Sequence, residues 1–222
     1  MGIGGSLMKI SKYILICSII LLLAGCNFGD STEQKLSTIL TEIYDLEADY
    51  RDVQEELADT ESKEQANFQQ MMELTKDQKE ELTTMVEDTA TLLKTRLALV
   101  EKEAASIKST SESIKQISSL VSETKEASEK ESLKEIETSL NERIKAYEEV
   151  TTNYNELANM QQELYKMLVD ESADVTTIQE QVKEVNLHNE LVQQSVQKFN
   201  DATIRVNEVK EEVLTSLQKD AK

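Results

Sequence analysis

Residues 36–57, LSTILTEIYDLEADYRDVQEEL, decide the fold, because their apolar side chains recur at a fixed interval of seven residues. Two interleaved series carry this repeat: Leu36, Ile43, Tyr50 and Leu57, and, three residues further on, Ile39, Leu46 and Val53. The spacing matches the a and d positions of a heptad, which form one apolar stripe, or seam, along a helix. The stretch therefore predicts a long helix that packs lengthwise against other helices.

The rest of the chain repeats this pattern and lacks the residues that strand-rich folds need. Residues 30–222 contain neither glycine nor proline, which supply the turns between strands. A second seam consists of Val86, Leu93, Val100, Ile107, Ile114 and Val121, with Ala90, Leu97 and Ala104 beside it. Third and fourth seams cover 133–168 and 178–217. We therefore expect an all-α protein, an elongated four-helix up-and-down bundle with antiparallel neighbours and coiled-coil-like packing.

Polar breaks between the seams indicate where the helices end. Between the first and second seams, both 62–65 and 75–78 match a capping box, and we prefer 75–78 because the helices then have similar lengths. Polar residues over 122–132 separate the middle seams, and 170–174 separates the last two. Within a bundle domain of 31–222, the predicted helices cover about 31–73, 76–128, 130–169 and 174–219.

The N-terminus has the organisation of a bacterial export signal. Lys9 and Lys12 precede an apolar run over 13–23, which is shorter than the ~20 residues that span a bilayer. We therefore predict a signal peptide over 1–25. Translation is expected to start at Met8, because the glycine codons shortly before it can encode a ribosome-binding sequence.

The apolar run ends in Leu23-Ala24-Gly25-Cys26, which resembles the lipobox of bacterial lipoproteins. The resemblance implies cleavage before Cys26 and a diacylglycerol group on the Cys26 thiol. Residues 26–30 would then be a lipidated tether. Cys17, the other cysteine of the chain, lies within the apolar run and would be removed with it.

Composition and motifs argue against catalysis and against nucleic-acid binding. The formal net charge of −19 repels polyanions, so no nucleic-acid partner is expected. His188 is the only histidine and has no cysteine left to join it in a transition-metal site, so we expect it on an exposed helix surface. No phosphate-binding loop or hydrolase motif occurs. We therefore predict a protein that is not an enzyme, with no metal site and no cofactor except the diacylglycerol.

The tyrosines fall into two groups according to their position relative to the seams. Tyr50, Tyr147 and Tyr154 occupy seam positions, which predicts core packing. Tyr44 and Tyr165 lie off the seams. These two are predicted on the surface, where their rings could stack on sugars.

The last two seams contain segments that resemble the YkyA-like family of putative cell-wall-binding lipoproteins of Gram-positive bacteria. They are 143–147 (RIKAY), Tyr154, 163–168 (ELYKML), 198–203 (KFNDAT) and Asn207. At position 206 the family pattern has an aromatic residue, whereas this chain has valine. The resemblance implies a four-helix bundle anchored on the outer face of the cell membrane, and it supplies no catalytic residues.

We therefore expect a lipid-anchored interaction module that faces the cell wall and binds peptidoglycan or an envelope protein. The short tether would hold one end of the bundle beside the membrane, so the turns at the other end are predicted to meet the partner. Those turns contain Leu74, Thr75, Lys76, Asp77, Asp170, Glu171, Ser172 and Asp174. Because the wall polymers and this chain are both anionic, binding to the wall would require bridging divalent cations or stacking on sugars. The other possible partner is a basic envelope protein. A spacer or oligomeric coiled coil without a ligand, and an envelope enzyme, are the alternatives.

Overall fold

The structure, a computed structural model, describes the backbone of residues 31–220 and all their side chains except those of Lys76, Lys219 and Asp220. The predicted signal peptide, the Met8 start, Cys26 and its tether lie outside the described residues. Within 31–220 the fold is all-helical and no strand occurs. The helices are α1 (Thr32–Leu46), α2 (Ala48–Asp52), α3 (Gln54–Met71), α4 (Lys79–Ser109), α5 (Ser111–Glu123), α6 (Ala127–Val169) and α7 (Val175–Asp220), with a 3₁₀ turn at Lys76–Gln78.

Capping boxes start α1 and the 3₁₀ turn that precedes α4. The Gln34 N–H donates to Ser31 Oγ at 3.2 Å, and the Ser31 N–H donates to the Gln34 side chain at 3.1 Å. Thr75 and Gln78 form the same arrangement at the 3₁₀ turn that leads into α4. The alternative turn at 62–65 lies inside α3, so the chain reverses at 72–78.

The segment expected as one helix over 31–73 is divided at Glu47 and Val53. A side chain from α4 explains the first division. Ser106 Oγ accepts the Tyr50 N–H at 3.2 Å and donates to the Leu46 carbonyl at 2.8 Å. In a continuous helix the Tyr50 N–H would bond the Leu46 carbonyl. The Ser106 hydroxyl lies between these two groups and so separates α1 from α2.

The segment expected as one helix over 76–128 is also shorter and divided. Thr110 separates α4 from α5, and its hydroxyl donates to the Ile107 carbonyl at 2.7 Å. The chain leaves the helix at Thr124, whose backbone is extended and whose hydroxyl bonds the Leu120 carbonyl at 2.8 Å. The predicted end at 128 is therefore wrong, and α6 begins at Ala127.

The chain divides into two compact units. Unit 1 contains Val53–Lys102 and Glu149–Ser195, and the described part of unit 2 contains 31–52, Glu103–Glu148 and 196–220. The core of unit 1 includes Met71, Val86, Leu93, Ala158 and Tyr165. The core of unit 2 is built from Leu36, Ile39, Leu40, Ile43, Ile114, Ile117, Leu120, Leu133, Ile136, Leu140, Val209, Val213 and Leu217.

Two hydrogen bonds between α6 and α7 show that these helices run antiparallel in unit 1. The Gln181 side chain donates to the Met160 carbonyl at 2.9 Å, and His188 Nε2 lies 3.1 Å from the Asn153 carbonyl. Moving forward along α7 therefore moves backward along α6.

Unit 2 shows the same relation between α1 and α5. Lys35 bonds Glu123 at 3.1 Å, and Gln116 bonds Glu42 at 3.0 Å, so these two helices also run antiparallel.

Among the helices of residues 31–220, none combines the length and the apolar character that crossing a membrane requires.

Candidate functional site

A row of buried polar residues at heptad spacing distinguishes α4 from an ordinary apolar seam. Thr89, Arg96 and Glu103 on α4, and Thr110 directly after its end, are 0%, 2%, 4% and 1% exposed. The sequence-based seam had placed Ala90, Leu97 and Ala104 beside the apolar series, but these three are only partly buried. The second core stripe of α4 is therefore polar, and sequence reasoning missed it because it counted only apolar residues.

Arg96 lies at the centre of the polar cluster in unit 1. Its Nε lies 3.2 Å from Glu64 Oε1, and the two side chains are 3% and 4% exposed. An Nη of Arg96 donates to the Gln161 side chain. The guanidinium also lies 5.1 Å from the centre of the Tyr154 ring, whose hydroxyl donates to Glu61. We call Glu61, Glu64, Arg96 and Gln161, with the space between them, the Glu64 pocket.

The Glu64 pocket contains a cavity of about 30 Å³. Tyr165, Val182, Val185 and Asn186 contribute to its walls together with the four polar residues. Although Arg96 Nε and Glu64 Oε1 are close, the N–H does not point at the carboxylate. Neither oxygen of Glu64 nor Arg96 Nε has a hydrogen-bond partner in the part of the chain that the structure describes.

Burial controls the protonation of the acidic groups in the pocket. It raises the pKa of the Glu64 carboxyl group to about 7, although the charge of Arg96 lowers that pKa, and the charge of Glu61 raises it further. Burial also raises the pKa of Glu61, against the hydrogen bond from Tyr154. For Arg96, burial acts to lower the pKa, but the surrounding Tyr154, Glu64 and Glu61 raise it. The cluster thus holds one permanent cation and two carboxyl groups that resist ionisation.

The raised pKa of Glu64 predicts that the protein loses stability as the pH rises. This pKa is about 7 in the folded chain and 4.5 ordinarily, so between pH 4.5 and pH 7 the folded chain binds one proton more at Glu64 than the unfolded chain does. The resulting contribution to the free energy of unfolding is full below about pH 4.5 and is lost as the pH rises through 7. We expect the free energy of unfolding to fall by about 2–3 kcal/mol between pH 5 and pH 8 from this group, as measured by urea denaturation.

Glu64→Gln should flatten that pH dependence, because glutamine does not titrate. Glu73→Gln is the matched control, since Glu73 is an exposed glutamate of the same unit. A Glu64→Gln variant with the same pH dependence as the wild type would contradict the assignment.

Arg143 is the centre of the corresponding cluster in unit 2. Its two Nη atoms bond the two carboxylate oxygens of Glu47, at 3.2 Å for the Nη2 contact. The Arg143 Nε–H donates to Thr203 Oγ1 at 2.9 Å, and the guanidinium lies 4.9 Å from the centre of the Phe199 ring. We call Glu47, Arg143, Thr203 and Phe199 the Arg143 cluster.

Aromatic rings join the α4 polar row to the Arg143 cluster. Tyr147 packs edge to face against Phe199 with ring centres 4.9 Å apart, and its hydroxyl donates to Glu103 at 2.6 Å. Tyr50 packs against the same two rings. Arg143, Tyr147, Phe199 and Thr203 all belong to segments that carried the family resemblance. Two of those segments, 143–147 and 198–203, therefore contribute these four side chains to the polar interior of unit 2.

The turns predicted to face a partner lie together in unit 1. Lys79, just after the first turn, forms an ion pair with Glu171 in the second. Asp170 Oδ1 accepts the Ser172 N–H at 2.9 Å and its hydroxyl at 2.7 Å, and these bonds lower the pKa of Asp170. Of the predicted residues, Leu74 is half-buried, and the exposed ones are Thr75, Asp77, Asp170, Glu171, Ser172 and Asp174. Their contact with a partner stays a prediction.

The structure also corrects two expectations about single side chains. Tyr165 was expected on the surface, but it is 4% exposed, because α6 buries a stripe wider than two positions per heptad. Tyr44 is half-buried, with the Arg51 guanidinium 3.8 Å from its ring centre. His188 was expected to be exposed, but its side chain is only 14% exposed and contacts Asn153 on α6.

No group of three or more His, Cys, Asp or Glu side chains within residues 31–220 is arranged to hold a metal ion. The absence of a cofactor and of catalytic activity stays a prediction.

Comparisons with known proteins identify one family and one fold relative. A family model described as "YkyA: Putative cell-wall binding lipoprotein" matches residues 31–216. The chain is similar to a 1.6 Å crystal structure of a conserved protein of unknown function from Staphylococcus aureus, with a TM-score of 0.70 and 19% identity. That match covers 80% of this chain and 88% of the other, and at this identity it shows the fold alone. A comparison with curated proteins found no match.

Proposed function

Because this chain belongs to the YkyA family of putative cell-wall binding lipoproteins, we propose that it is a non-catalytic interaction protein anchored to the outer face of the cell membrane. Membership of a lipoprotein family implies association with the cell envelope. The observation that carries the proposal is the family match over 31–216, which begins five residues after Cys26 of the lipobox-like Leu23-Ala24-Gly25-Cys26. In this proposal Cys26 carries the diacylglycerol.

Contacts within unit 2 support a membrane-facing role for the start of α1. The Thr32 hydroxyl donates to Glu129 at 2.9 Å, and the Gln218 side chain donates to Glu33 at 2.9 Å. The first residues of α1 therefore lie beside the start of α6 and the end of α7. Residues 27–30 span at most ~14 Å when extended, so lipid on Cys26 would hold this group of helix ends close to the headgroups.

The finer architecture is part of the same proposal. A four-helix up-and-down bundle is supported by the short connections at 72–78, 124–126 and 170–174, which favour antiparallel neighbours. The antiparallel pairs inside each unit agree with it. In such a bundle the turns at 72–78 and 170–174 share one end.

Charge limits how the paired turns can meet a partner. Acidic residues outnumber basic residues in both segments of unit 1, so this surface repels anionic wall polymers. We propose that the turns around Lys79 and Glu171 bind peptidoglycan through bridging divalent cations, or a basic patch on an envelope protein.

Replacing the two turns tests this assignment. Residues 74–77 and 170–174 would be exchanged for Gly-Ser segments of equal length in the otherwise intact chain. We expect at least a tenfold loss of retention on purified peptidoglycan with Ca²⁺ present, or of capture of the envelope partner from membrane extracts. The loss follows from removal of the exposed carboxylates that the proposal assigns to binding.

The matched control exchanges Lys125 and Glu126, the exposed connection of unit 2, for Gly-Ser. That variant should bind like the wild type, and circular dichroism would show that both variants remain helical. Undiminished binding by the turn variant would contradict the assignment. A wild type that binds neither material and sediments as a long oligomer would support the spacer alternative instead.

A further inference from the structure

The unpartnered atoms in the Glu64 pocket point to an occupant that the protein itself does not supply. Both oxygens of Glu64 and the Nε of Arg96 are buried without a hydrogen-bond partner among the described residues. A buried polar group without a partner ordinarily destabilises a fold, because it has lost its hydrogen bonds to water. The adjoining cavity of about 30 Å³ has room for one or two water molecules.

The chemistry of the walls selects the kind of occupant. Arg96 disfavours a metal cation, and the Glu64 carboxylate, once ionised, disfavours an anion. On the α7 side the cavity is lined by Val182, Val185 and Asn186, none of which titrates. A neutral molecule that both donates and accepts hydrogen bonds fits all of these groups.

We propose that the Glu64 pocket is an internal hydration site. In it, one or two water molecules accept a hydrogen bond from Arg96 Nε and donate to the Glu64 carboxylate. Such water supplies the partners that the packed helices leave out, and a site with two or more polar partners holds water stably. It also solvates the ionised form of Glu64, so that this carboxyl group can lose its proton while unit 1 remains folded.

Filling the cavity with a larger side chain distinguishes a hydrated pocket from a dry one, because the midpoint of urea denaturation falls in the first case and rises in the second. Val185 is buried and lines the cavity, so Val185→Ile adds one methyl group to it. In a dry cavity the added group gains contacts and raises the midpoint of urea denaturation. In a hydrated cavity it displaces water, leaves Glu64 and Arg96 unsatisfied and lowers the midpoint, which is the result we expect.

The same substitution in a Glu64→Leu/Arg96→Met background separates loss of water from overpacking. With the polar pair removed, Val185→Ile should leave the midpoint unchanged or raise it. A rise in the wild-type background, or an equal fall in both backgrounds, would overturn the hydration site.

Counting long-lived internal water by oxygen-17 magnetic relaxation dispersion gives a second measurement if the polar-pair variant does not fold. The wild type should lose one or two such waters on Val185→Ile. An unchanged count would overturn the proposal, as would a crystal structure with an ion in the pocket.

Discussion

Replacing Cys26 by alanine is expected to abolish fatty-acid labelling of the protein completely. The thiol is the only group in Leu23-Ala24-Gly25-Cys26 that can form the thioether to diacylglycerol. Growth in radiolabelled palmitate, followed by immunoprecipitation, measures the label. Cys17→Ala is the matched control, because Cys17 is the only other cysteine of the sequence. It lies in the segment predicted to be removed, so this variant should keep full labelling.

The same variant should also lose its normal processing. One diacylglycerol carries two acyl chains, which suffice for stable membrane attachment, so the wild type is expected in the membrane fraction with Cys26 as its first residue. Cys26→Ala should persist as an unlabelled precursor or reach the medium. Palmitate label on the Cys26→Ala protein would refute the anchoring site.

Arg143→Ala should lower the free energy of unfolding by about 3–5 kcal/mol, the largest stability effect that the structure predicts. The Glu47 and Arg143 side chains are 10% and 8% exposed. Removing the guanidinium leaves the Glu47 carboxylate buried without a counter-charge and removes the donor to Thr203. Urea denaturation at neutral pH measures the change.

Arg205→Ala is the matched control, because Arg205 pairs with Glu135 on the surface and the two side chains are 48% and 46% exposed. Exposed pairs of this kind contribute about 0–1 kcal/mol. The double variant Glu47→Leu/Arg143→Met should recover most of the lost stability, since apolar side chains of similar size replace both charges. Equal losses for Arg143→Ala and Arg205→Ala would show that the buried pair is not important for stability.

Heptad spacing was enough to predict an all-helical fold, because burial of apolar side chains every seven residues leaves few other solutions. The same counting failed on α4. Three residues after Val86, the offset seen in the first seam leads to Thr89, then to Arg96 and Glu103 at intervals of seven. The spacing therefore predicts that these three positions are buried, but the seam was assigned from apolar residues alone and did not include them.

Interruptions within the helices could not be predicted from nearby residues. The division at Glu47 depends on Ser106, which is distant in sequence and reaches α1 only after the chain has folded. The turns at 72–78 and 170–174 were predictable, because capping and polar residues act locally. Their association through Lys79 and Glu171 depends on the packing of unit 1.

The polar row on α4 also determines how far this helix can slide along its neighbours. A helix built from heptads can shift by seven residues, about 10 Å, and still present an apolar stripe. On α4 that shift would move Thr89 into the place of Arg96 and leave the Glu64 carboxylate without its cation. It would also bring Arg96 to the Tyr147 hydroxyl, which now donates to Glu103. A shifted packing of α4 is therefore less stable, because the buried charges lose their partners even where the apolar contacts are satisfied. The same holds for a shifted packing in which two chains exchange α4.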